Sequence, residues 1–207
     1  SAAAILTPFF AGQEQSEALT DILLGNADPG GRLPITVPVR LADHPAYLHH
    51  RPDHDGEGNG TQRYAEGLFV GYRHYDATDT PVRFPFGHGL SYGDATWGDA
   101  VLDAENRSVT VTVPITCTSD RAATVVVQGY VEAVAPGYMR PRLELKAWDK
   151  LTVEPGTTVN AVLELDPTAF RRWDTAADDW RLEPGEYDIV LAASANDERQ
   201  RHRVTIS

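Results

Sequence analysis

Gln13 and Glu14 are the first residues whose type and placement suit ligand chemistry. They lie in the stretch 7–15, which follows a short apolar run at residues 2–6, read here as a strand. The stretch opens a helical pattern from Gln13 to Leu24, with Ala18, Leu19, Ile22 and Leu23 at helical spacing. In open α/β sheets ligands sit beyond the carboxyl ends of the strands, and the amino end of a helix leaves backbone N–H groups pointing outward. A loop of that kind can line or buttress a binding site. The competing reading is that Glu14 only complements the positive end of its helix.

Glu66, Tyr72, Arg73 and His88 form a second group, set in a stretch from Tyr64 to Tyr92 that is dense in aromatics and glycines and poor in regular periodicity. Such a stretch usually lies pressed against a neighbouring surface. Glu66, Tyr72 and Arg73 then belong to an interdomain junction, where Arg73 can form bidentate bonds to a carboxylate or to carbonyls, with substrate contact as the competing reading. His88, between two glycines, reads as a turn residue with a hydrogen-bonded ring. A catalytic histidine would need a nucleophile that the sequence does not offer.

Two metal readings fail. Asp53, Asp55, Glu57 and Asn59 alternate as in a calcium loop, but the place of its bidentate Glu holds Tyr64. His49, His50 and His54 suit a transition metal only on a rigid loop, and the composition of residues 41–61 favours a mobile surface one. No metal and no cofactor is expected.

These candidates need elements to hold them. After the first helix, closed by Gly25, the sequence Gly30-Gly31-Arg32-Leu33-Pro34-Ile35-Thr36-Val37 turns into another short extended segment. Residues 1–40 thus read as a partial α/β layer. One strand and one helix cannot bury both faces of a sheet, so this part is expected to dock on structure outside the chain and not to fold alone. Residues 41–92 read as a linker that packs.

From about Trp97 the period becomes two: Val109, Val111 and Val113 alternate with Thr110 and Thr112, and apolar segments follow at 125–131, 143–148, 159–165, 187–191 and 204–206. Ser119-Asp120, Pro136-Gly137, Pro155-Gly156 and Pro184-Gly185 punctuate them. About seven short strands with such turns predict an antiparallel, immunoglobulin-like β-sandwich over residues 93–207. Tyr187 follows the turn at Pro184-Gly185 and opens a late strand, the setting of a tyrosine corner.

Bulk properties narrow the classes. The net charge is −12 with Lys and Arg scattered, so there is no basic stripe for nucleic acid. No apolar run approaches the roughly 20 residues of a membrane span. The single Cys117 excludes an intrachain disulfide. Compartment stays open between secreted and cytoplasmic, with secreted slightly favoured. The start at Ser1 has no basic n-region and reads as the middle of a fold.

Four blocks, in order, resemble glycoside hydrolase family 3 in its long form. Gly12-Gln13-Glu14, Ala18 to Gly25 and Gly31-Arg32-Leu33-Pro34 are similar to its PGQE…ALADVLFGD…SGRLP block. Residues 64–76 resemble Y.EGIFVGYRYYD, and Phe84-Pro85-Phe86-Gly87-His88-Gly89-Leu90-Ser91-Tyr92 is nearly FPFGHGLSYT. Arg140-Pro141, residues 143–151 and Pro155-Gly156 resemble RP.KELKGFEKV.L.PGE. Ala11 replaces the Pro of PGQE and Cys117 the Asn of a usual NTG, which touches turn geometry only. The stretch 44–60 matches nothing.

The resemblance implies the end of an α/β sandwich domain followed by a fibronectin type III-like domain, in an enzyme that hydrolyses β-glycosides with retention. Such chemistry uses two carboxyl groups about 5 Å apart. In the family the nucleophile is an Asp of the barrel and the acid/base is a Glu upstream of the PGQE-like block, so the resemblance places no catalytic residue in this chain. The chain alone is then expected to be inactive. Its partners are the barrel and the rest of the α/β domain, together with a glycoside substrate that Gln13 and Glu14 help to bind. Two rival functions are a carbohydrate-binding module using Trp97, Trp148, Trp173 and Trp180, whose spacing suits burial instead, and an oligomerisation domain.

Overall fold

Alternation dictates the core. On β5 (Ser108–Cys117) every second side chain, Val109, Val111, Val113, Ile115 and Cys117, is buried, while the residues between them lie outward. The structure, a computed structural model, describes residues 2–47, 49 and 64–207. Its elements before β5 are α1 (Gln15–Leu24), β1 (Val37–Pro38), α2 (Tyr72–Thr78), β2 (Val82–Phe84), β3 (Ala95–Trp97) and β4 (Val101–Glu105). After it come β6 (Ala123–Ala133), β7 (Glu144–Val153), β8 (Thr158–Leu165), β9 (Arg171–Asp174), β10 (Asp179–Leu182), β11 (Gly185–Ser194) and β12 (Asp197–Ile206).

Two antiparallel sheets face each other. One has the order β12-β11-β6-β7; in the other, β3 and β4 share one edge of β5 and β8 takes the opposite edge. Val127 and Val131 of β6, Leu163 and Leu165 of β8, Ile189 and Leu191 of β11 and Ile206 of β12 meet the valines of β5 between the sheets. Each such side chain contributes about 1.5–3 kcal/mol when fully buried. The Gln200 amide ties the open edge of the sandwich, donating to Gly98 C=O at 2.8 Å and accepting from Ala100 N–H at 2.9 Å.

The all-β sandwich follows its pattern, but the chain before it differs in detail. Residues 2–6 pair with no strand among the described residues, and Ile5 and Leu6 stay exposed. A strand needs a ladder partner, and none is described. Val37–Pro38 does pair, antiparallel to β2 within the linker. Residues 41–92, expected to be a linker, also hold α2, a helix that the density of aromatics and glycines hid. Within residues 64–70 packing is only partial: Phe69 is half-buried, whereas Tyr64, Leu68 and Val70 are exposed.

Burial of the tryptophans is corrected as well. Trp97 is half-buried against the core, whereas Trp148, Trp173 and Trp180 are exposed. Trp148 lies on the outward face of β7. Trp173 and Trp180 belong to the hairpin β9–β10, a separate two-stranded sheet. Period-two counting ranks strands by their apolar residues and says nothing about which face has a partner.

Candidate functional site

The loop that carries Gln13 and Glu14 is exposed throughout. Phe9 and Gly12 have positive φ, 49° and 75°, so the chain turns sharply before α1, and Phe10 projects fully into solvent. Glu14 is the N-cap; its carbonyl accepts from Ala18 N–H at 3.1 Å, but its side chain caps nothing. No hydrogen bond or ion pair ties either side chain to another group among the described residues. A single exposed carboxylate is not the pair that retaining glycoside hydrolysis requires.

The other end of α1 is held firmly. Gly25 adopts φ 77°, closing the helix as its N–H bonds Ile22 C=O. Tyr92 Oη donates to Ile22 C=O at 2.7 Å, and Arg121 Nη2 donates to Gly25 C=O at 2.7 Å while its guanidinium lies 4.8 Å from the centre of the Tyr92 ring. A cation at the negative end of a helix is favourable. The helix is thereby bolted to the turn between β5 and β6.

Asp28 organises the next layer. Its carboxylate accepts from Tyr92 N–H at 2.7 Å and from Ser91 Oγ at 2.9 Å, and Ser91 Oγ itself accepts from Thr124 N–H at 3.0 Å. Burial works against its ionisation, but the bonds from Tyr92, Thr124 and Ser91 and the charge of Arg32 outweigh it and hold the carboxyl below its usual range. Arg32 Nη2 donates to Thr124 C=O at 2.8 Å. Thus Gly-Arg-Leu-Pro and Gly-Leu-Ser-Tyr, two blocks far apart in the sequence, close on the same strand.

Tyr72 fastens α2 to the outer face of the sheet. Its ring stacks on Phe86 at 5.1 Å and meets Tyr130 edge-on at 5.7 Å, while its hydroxyl accepts from Leu145 N–H at 2.9 Å. Beneath it Tyr130 Oη donates to Gln128 Oε1 at 2.6 Å, and Gln128 Nε2 donates to Ala193 C=O at 3.2 Å. Arg142 pairs with Asp76 of α2 and with Glu132 of β6. Arg201 extends the series to Glu132, Asp188 and Glu198.

The remaining predicted residues are placed as follows. Arg73 lies over the Tyr72 ring with its Cζ 5.6 Å from the centre, but its buried Nε has no hydrogen-bond partner, so the bidentate pairing expected of it is absent among the described residues. The His88 ring stacks on Phe84 at 5.3 Å; among the described residues the ring makes no hydrogen bond, and the backbone bonds Pro85 and Leu33. Glu66 contributes its carbonyl to a turn with Phe69. Tyr187 Oη donates to Glu183 C=O at 2.6 Å. His50, His54, Asp53, Asp55, Glu57 and Asn59 lie outside the described residues. Among the described ones no group of three or more His, Cys, Asp or Glu is arranged to hold a metal.

Neither Asp188, which is buried, nor the exposed Glu198 is suited to donate a proton. Asp188 is held low by its bond from Arg203, against burial, with help from Arg201, and Glu198 is held low by Arg201. A general acid needs the opposite shift. The structure brings Tyr72, Arg73 and Phe86 together, sets the His88 ring on Phe84, and leaves Gln13 and Glu14 at the exposed end of α1. Asp28, Ser91, Gln128 and Arg142 were missed by sequence reasoning. Ser91 stood inside a recognised block, but Asp28 and Arg142 carry no local signal.

Residues 1–72 match the glycosyl hydrolase family 3 C-terminal domain and residues 125–195 the fibronectin type III-like domain. Domain by domain, the chain is thus similar to the C-terminal part of glycoside hydrolase family 3. It is 42% identical over 199 residues to a beta-glucosidase of Rhizobium radiobacter, an alignment covering 95% of this chain and 24% of that protein. An exo-alpha-(1->6)-L-arabinopyranosidase of Bifidobacterium longum is 36% identical over 200 residues, covering 95% and 26%. Among solved structures, the family 3 beta-glucosidase of Bifidobacterium adolescentis superimposes with a TM-score of 0.86 at 34% identity, covering 94% of this chain and 28% of that one. The chain therefore spans about a quarter of the length of these family 3 relatives.

Proposed function

We propose that this chain is the C-terminal portion of a retaining β-glycosidase, β-glucosidase-like, that removes terminal β-linked sugars. It completes the α/β domain through residues 1–40, joins it to the sandwich of residues 93–207 through the junction segment 41–92, and supports a cleft whose catalytic carboxylates lie on the preceding part of the enzyme. One contrast carries the reading. The sandwich has a closed core, whereas α1 has no buried residue and Ile5, Phe9, Phe10, Leu23 and Leu24 are exposed together with Ile35. Large apolar side chains grouped in this way mark a surface that another part of the protein covers. Arg73, with its buried unpaired Nε, suits a carboxylate supplied from that part, and Glu66, Tyr72 and His88 act in the same junction. Tyr187 serves as a tyrosine corner within the sandwich.

Gln13 and Glu14, beside the aromatic Phe9 and Phe10, would reach the sugar site from the edge of the α/β domain. The test uses the whole enzyme and a chromogenic β-glucoside. Hydrolysis by the whole enzyme, none by the chain alone, and a raised KM with little change in kcat for Gln13→Ala or Glu14→Ala is the expected result. Turnover by the chain alone would refute the assignment of catalysis to the preceding part. Unchanged KM in both variants would remove Gln13 and Glu14 from the sugar site.

A further inference from the structure

The hairpin β9–β10 shows two large aromatics to solvent. Trp173 and Trp180 are direct cross-strand partners, with ring centres 5.7 Å apart at 76°, and they remain 45% and 56% exposed. The opposite face of the hairpin is fully engaged. Arg172 forms ion pairs with Glu183 at 2.6 Å and Asp174 at 3.3 Å and lies 4.5 Å from the centre of the Tyr138 ring; Arg181 pairs with Asp174 at 3.3 Å. Asp174 also receives the N–H groups of Ala176 and Ala177 in the turn. At the base Leu182 packs on the core and Phe170 is buried within it. A rigid pedestal therefore holds two indoles outward.

We propose that this indole pair binds the pyranose rings of a neutral polysaccharide. Three observations choose that occupant. First, the two indoles together show on the order of 250 Å², far below the roughly 800 Å² per partner of a stable protein interface, but enough for one or two sugar rings. Second, Arg172 and Arg181 are matched by Asp174 and Glu183 on the same hairpin, so neither of these cations is left to draw an anionic ligand. Third, two indoles near a right angle offer an apolar corner for the C–H groups of a sugar ring. The site is independent of the proposed catalytic role, since it uses neither Gln13 nor Glu14 nor the junction.

Affinity electrophoresis of the whole enzyme through soluble mixed-linkage β-glucan tests the proposal. The unmodified protein is expected to be retarded. W173A/W180A should lose at least about tenfold in apparent affinity, whereas W148A should migrate like the unmodified protein. W173F/W180F keeps a stacking pair if the alanine variant disturbs the hairpin, and should stay retarded. Hydrolysis of a small chromogenic β-glucoside should be unchanged in all of them, which separates this site from catalysis. Absence of retardation in the unmodified protein, or equal retardation of W173A/W180A, overturns the proposal.

Discussion

Replacing Gly87 by Ala isolates the contact that seals the linker on the sandwich. Gly87 has φ 82°, and a Cβ there would lie 2.2 Å from Gln128 Nε2 and 2.7 Å from its Oε1. The positive φ alone costs an L-residue about 1–2 kcal/mol. The amide must also swing away, which breaks its bond to Ala193 C=O at 3.2 Å and strands the Tyr130 hydroxyl, bonded at 2.6 Å and fully buried. An orphaned buried group costs about 1–3 kcal/mol. The sum is about 2–5 kcal/mol, to be read from the shift in urea midpoint at constant slope. Gly31→Ala is the control: nothing lies within 4 Å of the added Cβ, so it should change stability by no more than about 1 kcal/mol. In a Gln128→Ala background Gly87→Ala should cost only the backbone part. A full cost in that background, or a neutral Gly87→Ala, would refute the steric reasoning.

Tyr187→Phe removes a 2.6 Å bond from a buried hydroxyl to Glu183 C=O and should cost about 1–2 kcal/mol by the same unfolding measurement, with the fold unchanged in far-UV circular dichroism. Asp28→Asn should destabilise near neutral pH. The folded carboxyl is shifted below its unfolded value, so its contribution is fully present above the unfolded pKa of about 3.9 and is lost as pH falls through the lower folded value. The gap in melting temperature between the two proteins should therefore close below about pH 4; a gap that persists there would exclude charge as its source. Arg142→Met cuts the pairs to Asp76 and Glu132, yet the Arg142 side chain is half exposed and solvent screens it. A loss of only about 0.5–1 kcal/mol is expected, shrinking in high salt.

The sandwich was legible because its signal is local. Val109, Val111 and Val113 state the period within five residues, and turns such as Pro155-Gly156 mark the ends. Tyr187 was placed by its distance from such a turn. The short strands β3 and β4 and the hairpin β9–β10 escaped, since each rests on pairing with residues elsewhere and not on its own apolar content. Asn106 and Arg107, which connect β4 to β5 at φ 52° and 66°, illustrate this: neither is glycine, so nothing in the sequence announced a tight hairpin. The junction was legible only as composition. Tyr72 and His88 were singled out, but Asp28 and Gln128 take their meaning from partners 64 and 41 residues away.

The two halves of the molecule are stabilised by different physics, and this bears on what each can do. The sandwich closes an apolar core and needs no help to hide it. α1 has no fully buried residue, and it is fixed at its carboxyl end by Tyr92, Arg121 and the Asp28 cluster. Polar bonds define direction more sharply than apolar burial does, because they lose strength with small changes of distance and angle. Net stabilisation per bond is only about 1 kcal/mol, so they orient α1 without making it stable on its own. The glycines of the motif follow from the same need: an added Cβ at Gly89 would lie 2.4 Å from Gly31 C=O, and one at Gly93 2.4 Å from Ala122 C=O. Close backbone approach at the sandwich sets the angle at which α1 and the exposed loop with Phe9, Phe10, Gln13 and Glu14 are presented. On the proposed function, the sandwich thereby fixes the position of the loop proposed to meet the sugar, so loosening Gly87, Gly89 or Asp28 should raise KM before it unfolds the protein.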